Sequence, residues 1–221
     1  RLMQKYHSNG KLLLTGEYAI LDGAKSLALP TEKGQSLEVE LIESTVISWE
    51  SFDENNKTWF KADFQINEGE FLTEASSMES PEQQEIARRL QQILKHCYSL
   101  KPEKFKSGFS INTYQDFNRK WGLGTSSTLI NNIANWLEIN AYQLLAETFG
   151  GSGYDIAAAS HDHPISFQRN NGEASVFTVD FDPPFKEELF FVYLNRKQNS
   201  REAIAHYRKQ SHTNRSQLIE K

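Results

Sequence analysis

Two segments place glycines and hydroxyl side chains directly ahead of an apolar helical pattern. In "WGLGTSSTLINN", Gly122 and Gly124 flank Leu123, and Thr125, Ser126 and Ser127 follow. Ile130, Ile133, Ala134 and Leu137 then recur at helical spacing. The mouth of a helix leaves its first amides unpartnered and carries partial positive charge. A phosphate satisfies both. Glycines let phosphate oxygens approach the backbone, and hydroxyls can donate to phosphate or bind a hard cation such as Mg²⁺. The same residues also suit an ordinary capped helix after a glycine turn. The stretch is neither G-x-x-x-x-G-K-[ST] nor G-x-G-x-x-G, because Ser127 stands where a third glycine belongs. In "GGSGYDIAAAS", Ser152 and Gly153 precede Asp155 in the first turn of a second helix. Such an aspartate either offsets the helix dipole or accepts or orients a proton. A third segment carries Lys11 ahead of the apolar run Leu12-Leu13-Leu14 and Glu17 behind the turn at Thr15-Gly16. Lys11 is either a solvated strand-edge lysine or a cation that neutralises developing phosphoryl charge.

The remaining chain must position these groups. Alternation at Leu37, Val39 and Leu41 predicts a half-exposed strand. Further strands are expected at Val46 to Phe52 and Thr58 to Phe64, with "DENNK" as their turn, and around Phe109, Ile111 and Thr113. The polar stretch "NEGEFLTEASSMES" reads as a loop. Ser80-Pro81 with Gln83 reads as a capping box opening a helix whose face is Ile86, Leu90, Ile93, Leu94 and Cys97. A short helix is expected from Tyr142 to Phe149. "PISFQ", "SVFTVDF" and "ELFFVYL" read as three strands, Asp182-Pro183-Pro184 as a boundary, and "REAIAHYRKQ" after Ser200 as a helix.

Composition narrows the classes. A net charge of -5 over 221 residues, with no basic stretch, argues against a nucleic-acid binder. Cys97 is the only cysteine, which excludes an intrachain disulfide and a cysteine zinc site. No apolar run reaches membrane-spanning length. A cytoplasmic protein is expected, and a homodimer is compatible with the sequence. His161-Asp162-His163 lacks a third metal ligand nearby. Trp49, Trp59 and Phe60 read as core aromatics, whereas Trp121 is placed to contact either a nucleotide base or its own loop.

Taken together, the three segments resemble, in order, those of the GHMP kinase family of galactokinase, homoserine kinase, mevalonate kinase and phosphomevalonate kinase. "GKLLLTGEYAILDGA" resembles the family's N-terminal motif. "WGLGTSSTLINN" resembles its phosphate-binding motif P-x-x-x-G-L-G-S-S-A, and "GGSGYDIAAAS" the segment bearing its catalytic aspartate. The wording is similar to the mevalonate and phosphomevalonate branch, in particular a bacterial subgroup marked by Gly-Tyr-Asp-Ile-Ala. The resemblance implies an α+β fold of two layers, with helices on a mostly antiparallel sheet. It implies an N-terminal ATP-binding domain over 1–184 and the start of a second α+β domain over 185–221. It also implies transfer of the γ-phosphoryl group of ATP to a small-molecule hydroxyl or phosphate, with mevalonate or phosphomevalonate leading as acceptor. Gly122, Leu123, Gly124, Thr125, Ser126 and Ser127 would then wrap the ATP phosphates, with Ser126 near Mg²⁺. Asp155 would serve as base or orienting carboxylate, Lys11 would meet the transferred group, and Glu17, Ser152 and Gly153 would shape the acceptor side. Lys197, Asn199 and Ser200 resemble a later substrate loop. The chain departs from the pattern in four ways. Asn118-Arg119-Lys120-Trp121 replaces the opening proline, Ser127 and Thr128 stand where small apolar residues are common, the acidic Mg²⁺ ligand has no counterpart, and no third glycine-rich motif occurs before Lys221. An incomplete kinase is therefore expected. The rival expectations are a non-catalytic nucleotide-binding protein on the same scaffold and a relative of mevalonate diphosphate decarboxylase.

Overall fold

Strand β2 (Ser26–Ile42) runs for 17 residues and organises the sheet. It pairs antiparallel with β1 (Gln4–Leu13), with β6 (Gly108–Gln115) and, near its start, with β7 (Ile165–Asn170). A computed structural model describes residues 3–74, 80–194, 200–210 and 212–219. Among these the sheet has eight strands. β3 (Val46–Phe52) and β4 (Thr58–Asn67) form a hairpin, β5 (Glu70–Leu72) extends it, and β8 (Glu173–Thr178) pairs with β7. The order is β5-β4-β3-β6-β2-β7-β8 with β1 also on β2, and the β3–β6 pairing alone is parallel.

Period-two patterning makes the sheet one-sided. Leu37, Val39, Ile47, Trp49, Phe60, Phe64 and Ile111 are buried, whereas Glu38, Glu50 and Lys61 lie on the opposite face. The helices α1 (Pro81–Leu100), α2 (Thr125–Leu137) and α3 (Ala141–Thr148) pack on the apolar face. So does α4 (Tyr154–Ala159), which rests on β1, β2 and β7. The fold is thus α+β in two layers, as expected. Each large side chain fully buried at this interface contributes about 1.5–3 kcal/mol. Ile111 lies in β6 at 0% exposure. Ile111→Ala is expected to cost about 2–5 kcal/mol, read from the midpoint of urea unfolding.

Local chemistry sets the boundaries. The Ser80 hydroxyl accepts the Gln83 amide at 3.2 Å and Pro81 opens α1. Asp53 Oδ1 accepts the amides of Asn55 and Lys57 in the β3–β4 turn. Two readings need correction. Part of the expected loop at 67–74 is strand, because Glu68-Gly69 makes a two-residue hairpin turn that pairs Asn67 with Glu70. The expected strand "ELFFVYL" is not a strand in the described residues. Residues 189–194 have no ladder partner, and Phe190 and Val192 are 83% and 78% exposed. The helix after Ser200 is present as α5 (Ser200–Arg208), followed by α6 (His212–Ile219). Both return to the 3-10 turn Ala19–Asp22: Tyr207 donates to Asp22 Oδ2 at 2.8 Å, and Arg215 pairs with the same carboxylate. Among the described residues no helix is long and apolar enough to cross a membrane.

Candidate active site

Three separate segments meet around one cavity of about 770 Å³. Strand β1 supplies Lys11, the turn after it Glu17, the mouth of α2 Gly122, Gly124, Thr125, Ser126 and Ser127, and the mouth of α4 Ser152 and Asp155. Leu123 and Gly153, also expected at the site, are not among the residues lining the cavity. The Leu123 carbonyl accepts the Lys11 amide at 2.9 Å, which ties the glycine loop to the strand. Gly153 is the residue on which α4 begins.

Two glycines are dictated by geometry. Gly124 has φ 93°, and a Cβ there would lie 2.7 Å from Ser127 Oγ and 3.2 Å from Lys11 Cγ. Gly153 has φ 91°, and a Cβ would lie 2.8 Å from the Tyr142 ring. Both positions combine a left-handed backbone with no room for a side chain.

The three hydroxyls differ in what they can offer. Ser127 is 1% exposed, and its hydroxyl donates back to Gly124 O at 3.0 Å, so it holds the loop. Thr125 Oγ1 accepts from Gln115 Nε2 at 3.0 Å and keeps its own proton for donation. Ser126 is exposed on the cavity wall. Beneath the loop, Gln35 Nε2 donates to Thr125 O and Thr128 Oγ1, both at 3.1 Å, which seats the first turn of α2 on β2.

The charges are coupled. Burial works against the Lys11 ammonium, but Tyr154, Asp155 and Glu17 outweigh it and hold its pKa above the ordinary value. Its Nζ lies 5.3 Å from the centre of the Tyr154 ring. Burial also pushes the Asp155 carboxyl above its ordinary value, against the pull of Lys11 and of the Ile156 amide. Asp155 is therefore a carboxylate that accepts a proton more readily than an exposed one. Burial, then Asp155, raises the Tyr142 phenol, so it too stays protonated.

Sequence reasoning missed several contributors. Arg169 on β7 donates from a terminal nitrogen to Ser152 O at 2.8 Å and from Nε to Gly172 O at 3.2 Å, bracing the loop that presents Asp155. Tyr154 supports Lys11, and Arg119 lines the cavity. A basic residue inside a strand carries no local signal of such a role. The other singled-out residues resolve differently. Asn9 donates to His161 O and Asp162 Oδ1, which makes that turn a tether for β1. Among the described residues no cluster of three or more metal-ligating side chains occurs. Trp49 and Phe60 are core. Trp121 is 46% exposed, with its ring 6.3 Å from that of Tyr193. Lys197, Asn199 and the Ser200 side chain lie outside the described residues.

No family model and no curated protein matches the chain. Solved structures share its fold at low identity. The mevalonate kinase of Methanococcus jannaschii superposes with a TM-score of 0.63 at 15% identity, over 99% of this chain and 71% of its own. The Lin0012 protein of Listeria innocua gives 0.68 at 13%, over 99% and 70%. The galactokinase of Lactococcus lactis, solved with galactose, gives 0.58 at 13%, over 81% and 48%.

Proposed function

We propose that this chain is an ATP-dependent small-molecule kinase of GHMP type, with residues 1–184 as its nucleotide-binding unit and 185–221 as the start of a second domain. One observation carries the reading: Lys11, Ser126 and Asp155, far apart in sequence, line a single cavity. Its volume lies within the range of pockets that take a nucleotide-sized ligand. The donor set suits a triphosphate, because the glycine-bordered mouth of α2, the Thr125 and Ser126 hydroxyls and the Lys11 ammonium all favour anionic oxygen. Mg²⁺ also fits, since it keeps several waters and needs few protein ligands beyond phosphate oxygens; the Ser126 hydroxyl would be one. Bound with the nucleotide, it would neutralise charge on the transferring phosphoryl group.

The residues divide the work. The α2 mouth fixes the donor phosphates. The acceptor oxygen bonds to the γ-phosphorus as the bridge to the β-phosphate breaks. Asp155 takes the proton of a hydroxyl acceptor, as its raised pKa favours. Lys11 offsets charge on the equatorial oxygens. Catalysis of this kind is mostly positioning, which supports a role for Arg169: Arg169→Leu is expected to lower kcat about tenfold with little change in melting temperature, measured by steady-state kinetics beside calorimetry.

The acceptor side also has an apolar wall of Leu12, Leu13, Ile20 and Leu21. Such a wall supports a small branched hydroxy acid or its phosphate, mevalonate or phosphomevalonate, over a polyhydroxylated sugar that would leave hydroxyls unpaired. The test combines calorimetric titration with MgATP and labelled-ATP transfer to a panel of acceptors. Nucleotide binding with transfer to a branched hydroxy acid is expected. Binding without product would favour a non-catalytic role, and release of carbon dioxide a decarboxylase.

A further inference from the structure

The stretch that replaces the usual proline, Asn118-Arg119-Lys120-Trp121, forms a 3-10 turn over Arg119–Trp121 that leads directly into Gly122. Asn118 caps it by accepting the Lys120 amide at 3.0 Å. Within this turn Arg119 reaches the cavity wall. Its guanidinium carbon lies 4.0 Å from the centre of the Trp59 ring, and one nitrogen donates to Glu82 Oε1 at 2.7 Å. Among the described residues the Trp59 indole N–H has no hydrogen-bond partner, and the ring also packs beside Phe60 and against the core.

We propose, resting on the kinase reading, that Arg119 is a second cationic contact for the donor's phosphate chain. Three observations converge. First, Lys11 is already engaged by Tyr154, Asp155 and Glu17, so its charge is shared with the acceptor side. A triphosphate retains negative charge even with a divalent ion, and Arg119 is the other basic side chain lining the cavity among the described residues. Second, the guanidinium is set in advance. Trp59 supports it from below, and an Arg held over a ring face loses less freedom on binding phosphate than a Lys would. Third, the Glu82 pair uses one of five N–H donors, and the Glu82 side chain is 68% exposed. The pair is open to solvent on its Glu82 side, with Arg119 27% exposed, and is exchangeable there. Phosphate oxygens therefore compete with Glu82 on favourable terms, and planar bidentate capture is the geometry Arg provides.

The test is calorimetric binding of MgATP, inorganic tripolyphosphate and adenosine to the full chain and its variants. Arg119→Met should weaken MgATP and tripolyphosphate about tenfold or more while leaving adenosine unchanged. The loss should shrink as salt rises. Arg119→Lys, which keeps the charge without the planar fork of donors, should fall between. Glu82→Gln, which removes the competitor, should bind tripolyphosphate as tightly as the parent or more tightly. If Arg119→Met proves unstable by melting, the Lys and Gln variants decide the matter, and parent-like affinity in Arg119→Lys together with weakened binding in Glu82→Gln overturns the proposal. Equal losses for adenosine and MgATP would place Arg119 at the base or in the scaffold and also overturn it. A parent protein that binds neither MgATP nor tripolyphosphate would sink the kinase reading itself. A parent that binds both, beside an unaffected Arg119→Met, would sink this inference alone.

Discussion

Asp155→Asn is expected to lower phosphoryl transfer about a thousandfold while leaving MgATP affinity as it was. The substitution keeps the shape of the side chain and its place in the first turn of α4 but removes the proton acceptor. The proposed nucleotide contacts lie mainly at the α2 mouth, in another segment, so binding is expected to change little. The same variant should be more stable than its parent near neutral pH. The folded Asp155 carboxyl has a raised pKa, because burial outweighs Lys11. A carboxyl of this kind favours the folded state below its ordinary pKa and loses that contribution as pH climbs through the raised value. At neutral pH the buried charge is therefore a cost, and Asn removes it. Differential scanning calorimetry across pH should show the gain shrinking toward acid. An Asn variant that turns over like the parent would remove Asp155 from the chemistry.

Lys11→Met is expected to lower kcat about 10²–10³-fold and to shift the acid limb of the pH–rate profile upward. Lys11 is the charge that pulls Asp155 down against burial. Without it the carboxyl rises further, so a higher pH is needed to keep it ionised. The lysine itself does not titrate near neutrality. Its pKa is raised, so its stabilising charge is fully present below the ordinary lysine value and fades only in more alkaline solution. A Met variant whose acid limb moves downward would contradict the coupling. Circular dichroism would check that β1 keeps its pairing with β2.

What could be read beforehand was local. Ser80, Pro81 and Gln83 are chain neighbours whose cap forms within one turn, and Asp53 folds the turn at 53–57 without outside help. The glycine-hydroxyl mouths at 122–127 and 150–155 were legible for the same reason, since only glycine tolerates the backbone found at Gly124 and Gly153. What escaped depends on partners distant in sequence. Nothing near Arg169 announces Ser152, 17 residues away, and nothing near Arg119 announces Trp59. The segment 188–194 failed for a related reason. β-branched and aromatic residues state that a strand is affordable, but a ladder needs a second strand, and the described residues provide none.

The bond from the Lys11 amide to the Leu123 carbonyl ties two parts of the cavity together. It fastens the glycine loop to the strand that carries the ammonium, so a displacement of one backbone is passed to the other. In the proposed kinase, a nucleotide that ordered the loop would thereby also steady the strand from which Lys11 projects.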